Sequence, residues 1–98
     1  MLRITLLYMD SEKVRLKLDG RLAGLNVASL KHELLNYMDG KHKTVILDFS
    51  GVSYIDTSGR SMLESINDGK LKIVNCSMFI EKFLENLISA TRENQDEK

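Results

Sequence analysis

Leu2, Ile4, Leu6 and Tyr8 alternate with Arg3, Thr5, Leu7 and Met9; after Asp10-Ser11-Glu12, Val14, Leu16 and Leu18 alternate with Lys13, Arg15, Lys17 and Asp19. Period two over both runs predicts two strands, and the short polar connection predicts an antiparallel hairpin. Residues 2–19 thus read as a half-exposed ribbon whose Lys/Arg face points at solvent or at a partner. Beyond Gly20 the period lengthens. Asn26 is placed to cap a helix in which Val27, Leu30, Leu34 and Tyr37 or Met38 recur at helical spacing before Asp39-Gly40 ends it. The continuous apolar run from Thr44 to Phe49 predicts a mid-sheet strand covered on both faces, as parallel strands are, and ended by Ser50-Gly51.

Val52 to Ile55 then leads into Asp56-Thr57-Ser58-Gly59, a cluster of cap-type residues ahead of Met62, Leu63 and Ile66. A second helix starts here, capped by Thr57 or Ser58, with Ser61-x-x-Glu64 as a competing capping box. Asp68-Gly69 closes it, Leu71 to Val74 reads as the last strand, and Ser77 caps a helix striped by Phe79, Ile80, Phe83, Leu84, Leu87 and Ile88. That stripe suits a core-facing helix. With Met78 it holds more apolar positions than one sheet face covers, which leaves part of it for contact with another protein. From Thr91 the sequence is wholly polar, and residues 91–98 read as a disordered tail after a single domain over residues 1–90.

The element order is β-β-α-β-α-β-α, an α/β fold with a four-stranded mixed sheet flanked by helices. Strands two to four run parallel through right-handed crossovers, and the first is antiparallel to the second. Sites in such sheets gather at the carboxyl ends of the parallel strands, where Asp56 to Gly59 falls. The 98 residues, 43% hydrophobic and 29% charged, fit one globular domain and exclude a two-domain enzyme. Fourteen basic side chains balance fourteen acidic ones, so the basic excess that drives nucleic-acid binding is missing. No apolar run is long enough to span a bilayer and no secretory cleavage pattern opens the chain, which predicts a cytoplasmic protein without direct membrane insertion. Cys76 is the one cysteine, so neither an internal disulfide nor a multi-cysteine metal site is expected.

The segment from Val45 to Gly59, VILDFSGVSYIDTSG, resembles the central motif of the STAS domain, the family of bacterial anti-sigma-factor antagonists and of cytosolic modules of some transporters. The likeness extends to Leu18-Asp-Gly-Arg-Leu22 and through the last strand and helix, nearly the whole chain. It implies a non-enzymatic interaction module without cofactor or metal. Its implied phosphoacceptor is Ser58, and its implied partner surface comprises Asp56, Thr57, Ser58, Gly59, Arg60, Ala23 and Arg21. The implied partner is a kinase-like anti-sigma factor or, in the alternative, the ATPase of a membrane-transport complex that an unphosphorylated subunit stabilises. Ala23 stands where the antagonists usually carry an acidic residue, and Arg60 replaces their small or apolar residue; both place the chain in a divergent branch.

The remaining candidates have local explanations. Asp48 and Asp56 could pair for metal or acid/base work, but loop aspartates beside serines usually satisfy backbone donors. His32 sits on the polar face of the first helix and His42 in a lysine-flanked turn, and neither has ligand or triad spacing. No base is placed to activate Ser58 as a catalytic nucleophile. Cys76 reads as a small packing residue. The basic face of Lys13, Arg15 and Lys17 suits solvent, and it also suits an acidic partner.

Overall fold

Strands β1 (Leu2–Met9) and β2 (Lys13–Leu22) form the antiparallel hairpin, β3 (Thr44–Ile55) pairs parallel with β2, and β4 (Leu71–Val74) pairs parallel with β3. The structure, a computed structural model, describes residues 1–38, 44–67 and 69–85. The expected stops at Asp39-Gly40 and Asp68, the His42 turn, the stripe positions Leu87 and Ile88 and the tail 91–98 lie outside the described residues. Helices α1 (Leu25–Met38), α2 (Thr57–Ile66) and α3 (Met78–Phe83) follow β2, β3 and β4, and the sheet order is β1-β2-β3-β4. The expected α/β topology is the observed one.

Sequential parallel order with right-handed crossovers puts α1 and α2 on the same face of the sheet. The register shows which face. Val14, Val45 and Leu71 are cross-strand neighbours, as are Leu16, Leu47 and Ile73, and all six are buried in one cluster with Leu30 and Leu34 of α1, Met62 and Leu63 of α2, and Ile80 of α3. The intervening rows, Arg15-Ile46-Lys72 and Lys17-Asp48-Val74, point to the opposite face. The expectation that β3 is covered on both faces is therefore corrected: Ile46 lies on a face that no described element covers and is only partly buried.

Ser50-Gly51 does not end β3. The register with β2 slips once between Lys17 and Asp19 and again between Gly20 and Arg21, so β3 absorbs extra residues as bulges and runs on to Ile55. Core-facing residues step by two at Val45, Leu47 and Phe49 and by three at Val52 and Ile55, all of them buried. The bulges thus keep Ile55 in the core and deliver Asp56 at the carboxyl end of the strand.

Asp10 fixes the hairpin turn. Its Oδ1 accepts from the backbone N–H groups of Glu12 (2.8 Å) and Lys13 (2.9 Å), and its Oδ2 accepts from the Tyr8 hydroxyl at 2.6 Å. These bonds, the tyrosine's first, hold the Asp10 carboxyl at a pKa of about 2. The α3 stripe divides: Ile80 and Leu84 are buried and Phe83 is half-buried, whereas Met78 and Phe79 are 81% and 77% exposed. Ser77 caps α3, accepting from the Ile80 N–H at 3.2 Å.

Candidate functional site

β2 and β3 end side by side, Leu22 opposite Ile55, and the chain turns from each into a helix at the same edge of the sheet. After β2 the turn is Ala23-Gly24, where Gly24 has φ +61°, a left-handed conformation that glycine adopts without strain. After β3 the turn is Asp56 alone. Its backbone N–H donates to the Leu22 carbonyl at 3.2 Å, and its extended backbone makes it the N-cap of α2. Neither Thr57, Ser58 nor a Ser61-Glu64 capping box fills that role: the Asp56 carboxylate reaches the third residue of the helix, and Glu64 pairs with Arg60 instead. Nor does Asn26 cap α1, which begins at Leu25; the Asn26 Nδ2 donates to the Arg21 carbonyl at 3.0 Å.

The Asp56 carboxylate gathers three donors. Oδ1 accepts from the Ser58 hydroxyl at 2.7 Å and the Gly59 N–H at 2.8 Å, and Oδ2 accepts from the Gly24 N–H at 3.2 Å. The Ser58 hydroxyl, then the Gly59 and Gly24 amides, hold the carboxyl below its ordinary range, so it is ionised at neutral pH. One anion therefore fastens the β2–α1 turn to the start of α2 and orients Ser58, whose side chain is exposed at the second position of the helix.

Gly59, the next residue, is buried. A Cβ there would lie 2.9 Å from the Leu22 carbonyl oxygen and 3.0 Å from Ile55 Cγ1, so glycine lets the helix start against the end of β2. Of the other expected positions, Arg60 extends toward α3: its Nε is 3.0 Å from Glu64 Oε2 and its guanidinium lies 5.5 Å from the Phe83 ring centroid. Ala23 is half-buried in the turn. Arg21 is exposed and stacks on Tyr54, its neighbour across the sheet, at 4.5 Å. All seven expected residues thus lie along this edge.

A shallow open groove continues from Ser58 between α1 and α2, lined by Gly24, Val27, Ala28, Lys31 and Ser61. Leu25, at the mouth of α1, is 91% exposed and absent from the sequence-derived set. Helical geometry could have found it: at about 100° per residue it lies on the far side of α1 from the Val27-Leu30-Leu34 stripe.

Asp48 and Asp56 form no carboxylate pair. Asp48 lies mid-strand on the bare face, accepting from the Ser50 N–H at 2.9 Å and facing Arg15 at 3.6 Å. Burial works against its ionisation, but the hydrogen bonds from Ser50 and Asn75 and the Arg15 charge outweigh it and keep the carboxyl below its ordinary pKa. Among the described residues no three His, Cys, Asp or Glu side chains cluster as a metal site, and no helix is long and apolar enough to cross a membrane. His32 is exposed on α1. Burial and the nearby Glu81 push the Cys76 thiol up to about 11.

Among solved structures, the anti-sigma factor antagonist SpoIIAA in its unphosphorylated form matches with a TM-score of 0.65 and 22% identity, over 85% of this chain and 82% of that one. A protein of the DUF3478 family with a SpoIIAA-like fold, from Shewanella loihica PV-4, matches with a TM-score of 0.58 and 11% identity, over 88% of this chain and 76% of its own. No curated protein matches. These identities carry the fold alone. The STAS domain family itself matches residues 10–88, from the hairpin turn past the last described helix, and the chain belongs to that family.

Proposed function

We propose that this chain is a regulatory protein-interaction module that binds a kinase-like anti-sigma factor through the Ser58 edge and is switched by phosphorylation of Ser58. The observation that carries the reading is the exposed Ser58 hydroxyl, held at 2.7 Å by the carboxylate that also ties down the Gly24 turn. The likeness to a protein described as an anti-sigma factor antagonist in an unphosphorylated form supports it.

The chemistry of the switch follows from that hydrogen bond. Once phosphorylated, Ser58 has no hydroxyl proton to donate, and a group carrying about two negative charges replaces it beside the Asp56 carboxylate. Backbone N–H groups at the start of α2 partly offset the repulsion, so the domain stays folded. The partner meets a new charge at a position that carried only an exposed hydroxyl. Arg60, held toward α3 by Glu64 and Phe83, leaves that surface open.

The test is isothermal titration of wild type, Ser58→Ala and Ser58→Asp against a serine-kinase anti-sigma factor, followed by mass spectrometry after incubation with ATP. Ser58→Asp is expected to lose at least about a hundredfold in affinity, because a charge is forced into a desolvated contact. Ser58→Ala is expected to bind and to stay unmodified, and Thr57→Ala to be phosphorylated normally. Equal affinities with no phosphate on Ser58 would overturn the switch and favour a constitutive subunit that stabilises a transporter ATPase.

A further inference from the structure

All-parallel sheets are covered on both faces, whereas a mixed sheet such as this one can leave a face open to a partner. Here β2, β3 and β4 are parallel, the helices cover one face, and no described element covers the other. That bare face is not uniformly polar. Ile46 on β3 and Val74 at the end of the edge strand β4, in adjacent rows of the register, are apolar and only partly buried.

Cations surround these two residues. Arg15 and Lys72 flank Ile46 across the sheet, Lys17 lies in the row of Val74, and Lys13 and Arg3 extend the face along β2 and β1. The acidic residues of this face are Asp48, 3.6 Å from Arg15, and Asp19, 3.4 Å from Lys17. Both are already engaged, so the face is cationic although the chain is neutral overall. A second copy would bring like charges together.

Four strands about 4.8 Å apart and the run from Lys13 to Asp19 give a face of roughly 15 by 20 Å. It matches one helix, about 10–12 Å across with its side chains. Apolar side chains among the cations suit a protein contact, whereas a phosphate lattice would leave Ile46 and Val74 without apolar partners.

We propose that the face of the sheet opposite the described helices, where Ile46 and Val74 lie among Lys13, Lys17 and Lys72, docks one acidic amphipathic helix of a protein partner. The helix lies across the strands, its aliphatic stripe against Ile46 and Val74 and its carboxylates toward the lysines. This surface lies on the opposite side of the sheet from the core and is independent of the Ser58 edge.

The experiment is an amide-detected NMR titration of the full chain with a stapled helical peptide of about 18 residues that carries glutamates beside a leucine stripe. A glutamine version of the peptide, phosphatidylserine vesicles and a DNA duplex serve as alternatives. Saturable shifts are expected at Arg15, Lys17, Ile46, Lys72 and Val74 and not at Gly24, Ser58 or Gly59. Affinity is expected to fall at least about tenfold for the glutamine peptide, for the Lys72→Glu variant and on raising salt from about 50 to about 500 mM. Lys13→Glu, in the exposed rim, gives a second variant if Lys72→Glu unfolds the edge strand. No saturable shift with the acidic peptide, shifts centred on Ser58, or tighter binding of vesicles or DNA than of the peptide would each overturn the proposal.

Discussion

Replacing Gly59 by alanine tests whether the close seat of α2 on β2 is a real constraint. Two effects oppose each other. Alanine is favoured over glycine inside a helix by up to about 1 kcal/mol. Against that, the new Cβ would stand 2.9 Å from the Leu22 carbonyl oxygen, 3.0 Å from Ile55 Cγ1 and 3.1 Å from Leu22 Cγ. The carbonyl is backbone and accepts the Asp56 N–H, and Ile55 is 5% exposed, so neither neighbour gives way cheaply. Overpacking of this kind costs about 1–3 kcal/mol, so its middle value of about 2 kcal/mol less a gain of up to about 1 leaves a net loss of about 1 kcal/mol. In a chain of 98 residues that corresponds to a Tm lower by about 4–8 °C. Urea unfolding followed by far-ultraviolet circular dichroism measures it, with an unchanged m-value showing that the unfolded state is the same. Ser61→Ala, on the exposed side of the same helix, should stay within about 0.5 kcal/mol of wild type. A Gly59→Ala variant as stable as wild type would show that helix propensity, not the approach to Leu22, decides this position.

Leu84, 1% exposed just after α3, should cost about 2–5 kcal/mol as Leu84→Ala in the same urea assay, and an unchanged midpoint would mean that the helix does not pack on the sheet. The Asp10 carboxyl falls from an ordinary 3.8 to about 2 on folding, so its contribution to the hairpin is complete above about pH 4 and is lost as pH falls through about 2; carboxyl-carbon NMR should show that midpoint, and a value near 4 would refute the turn geometry. With its pKa near 11, Cys76 should be only about one-thousandth thiolate at pH 8, so iodoacetamide should label the folded chain about a hundredfold more slowly than the urea-unfolded chain.

Much of the architecture was legible because its signals are periodic. Alternation in β1 and β2, the Val27-Leu30-Leu34 stripe and the Ser77 cap correspond to observed elements. The misreadings share a cause: the sequence shows residue types but not the partner each one faces. Ser50-Gly51 reads as a stop, yet bulges absorb the extra residues and the strand continues. Ile46 reads as buried because it lies between Val45 and Leu47, although alternation turns it to the bare face. Asp56, Ser58 and Ser61 are all plausible caps, and only the fold shows that Asp56 also reaches Gly24, far back in the chain. Arg60 reads as part of the partner surface, and the fold adds that its side chain lies against Glu64 and Phe83.

The strand order has a consequence for how the molecule comes apart. Every hydrogen-bonded neighbour in the sheet is also the next strand along the chain, so the domain behaves as a short one-dimensional stack whose ends can detach singly. β4 holds four residues and is bound on one side only, so it and α3 form the natural first unit to open, while β2 and β3, braced on both sides, open only with the whole. Amide exchange should therefore rank Ile73 well below Leu16 and Leu47 in protection, even though all three are buried in the same core.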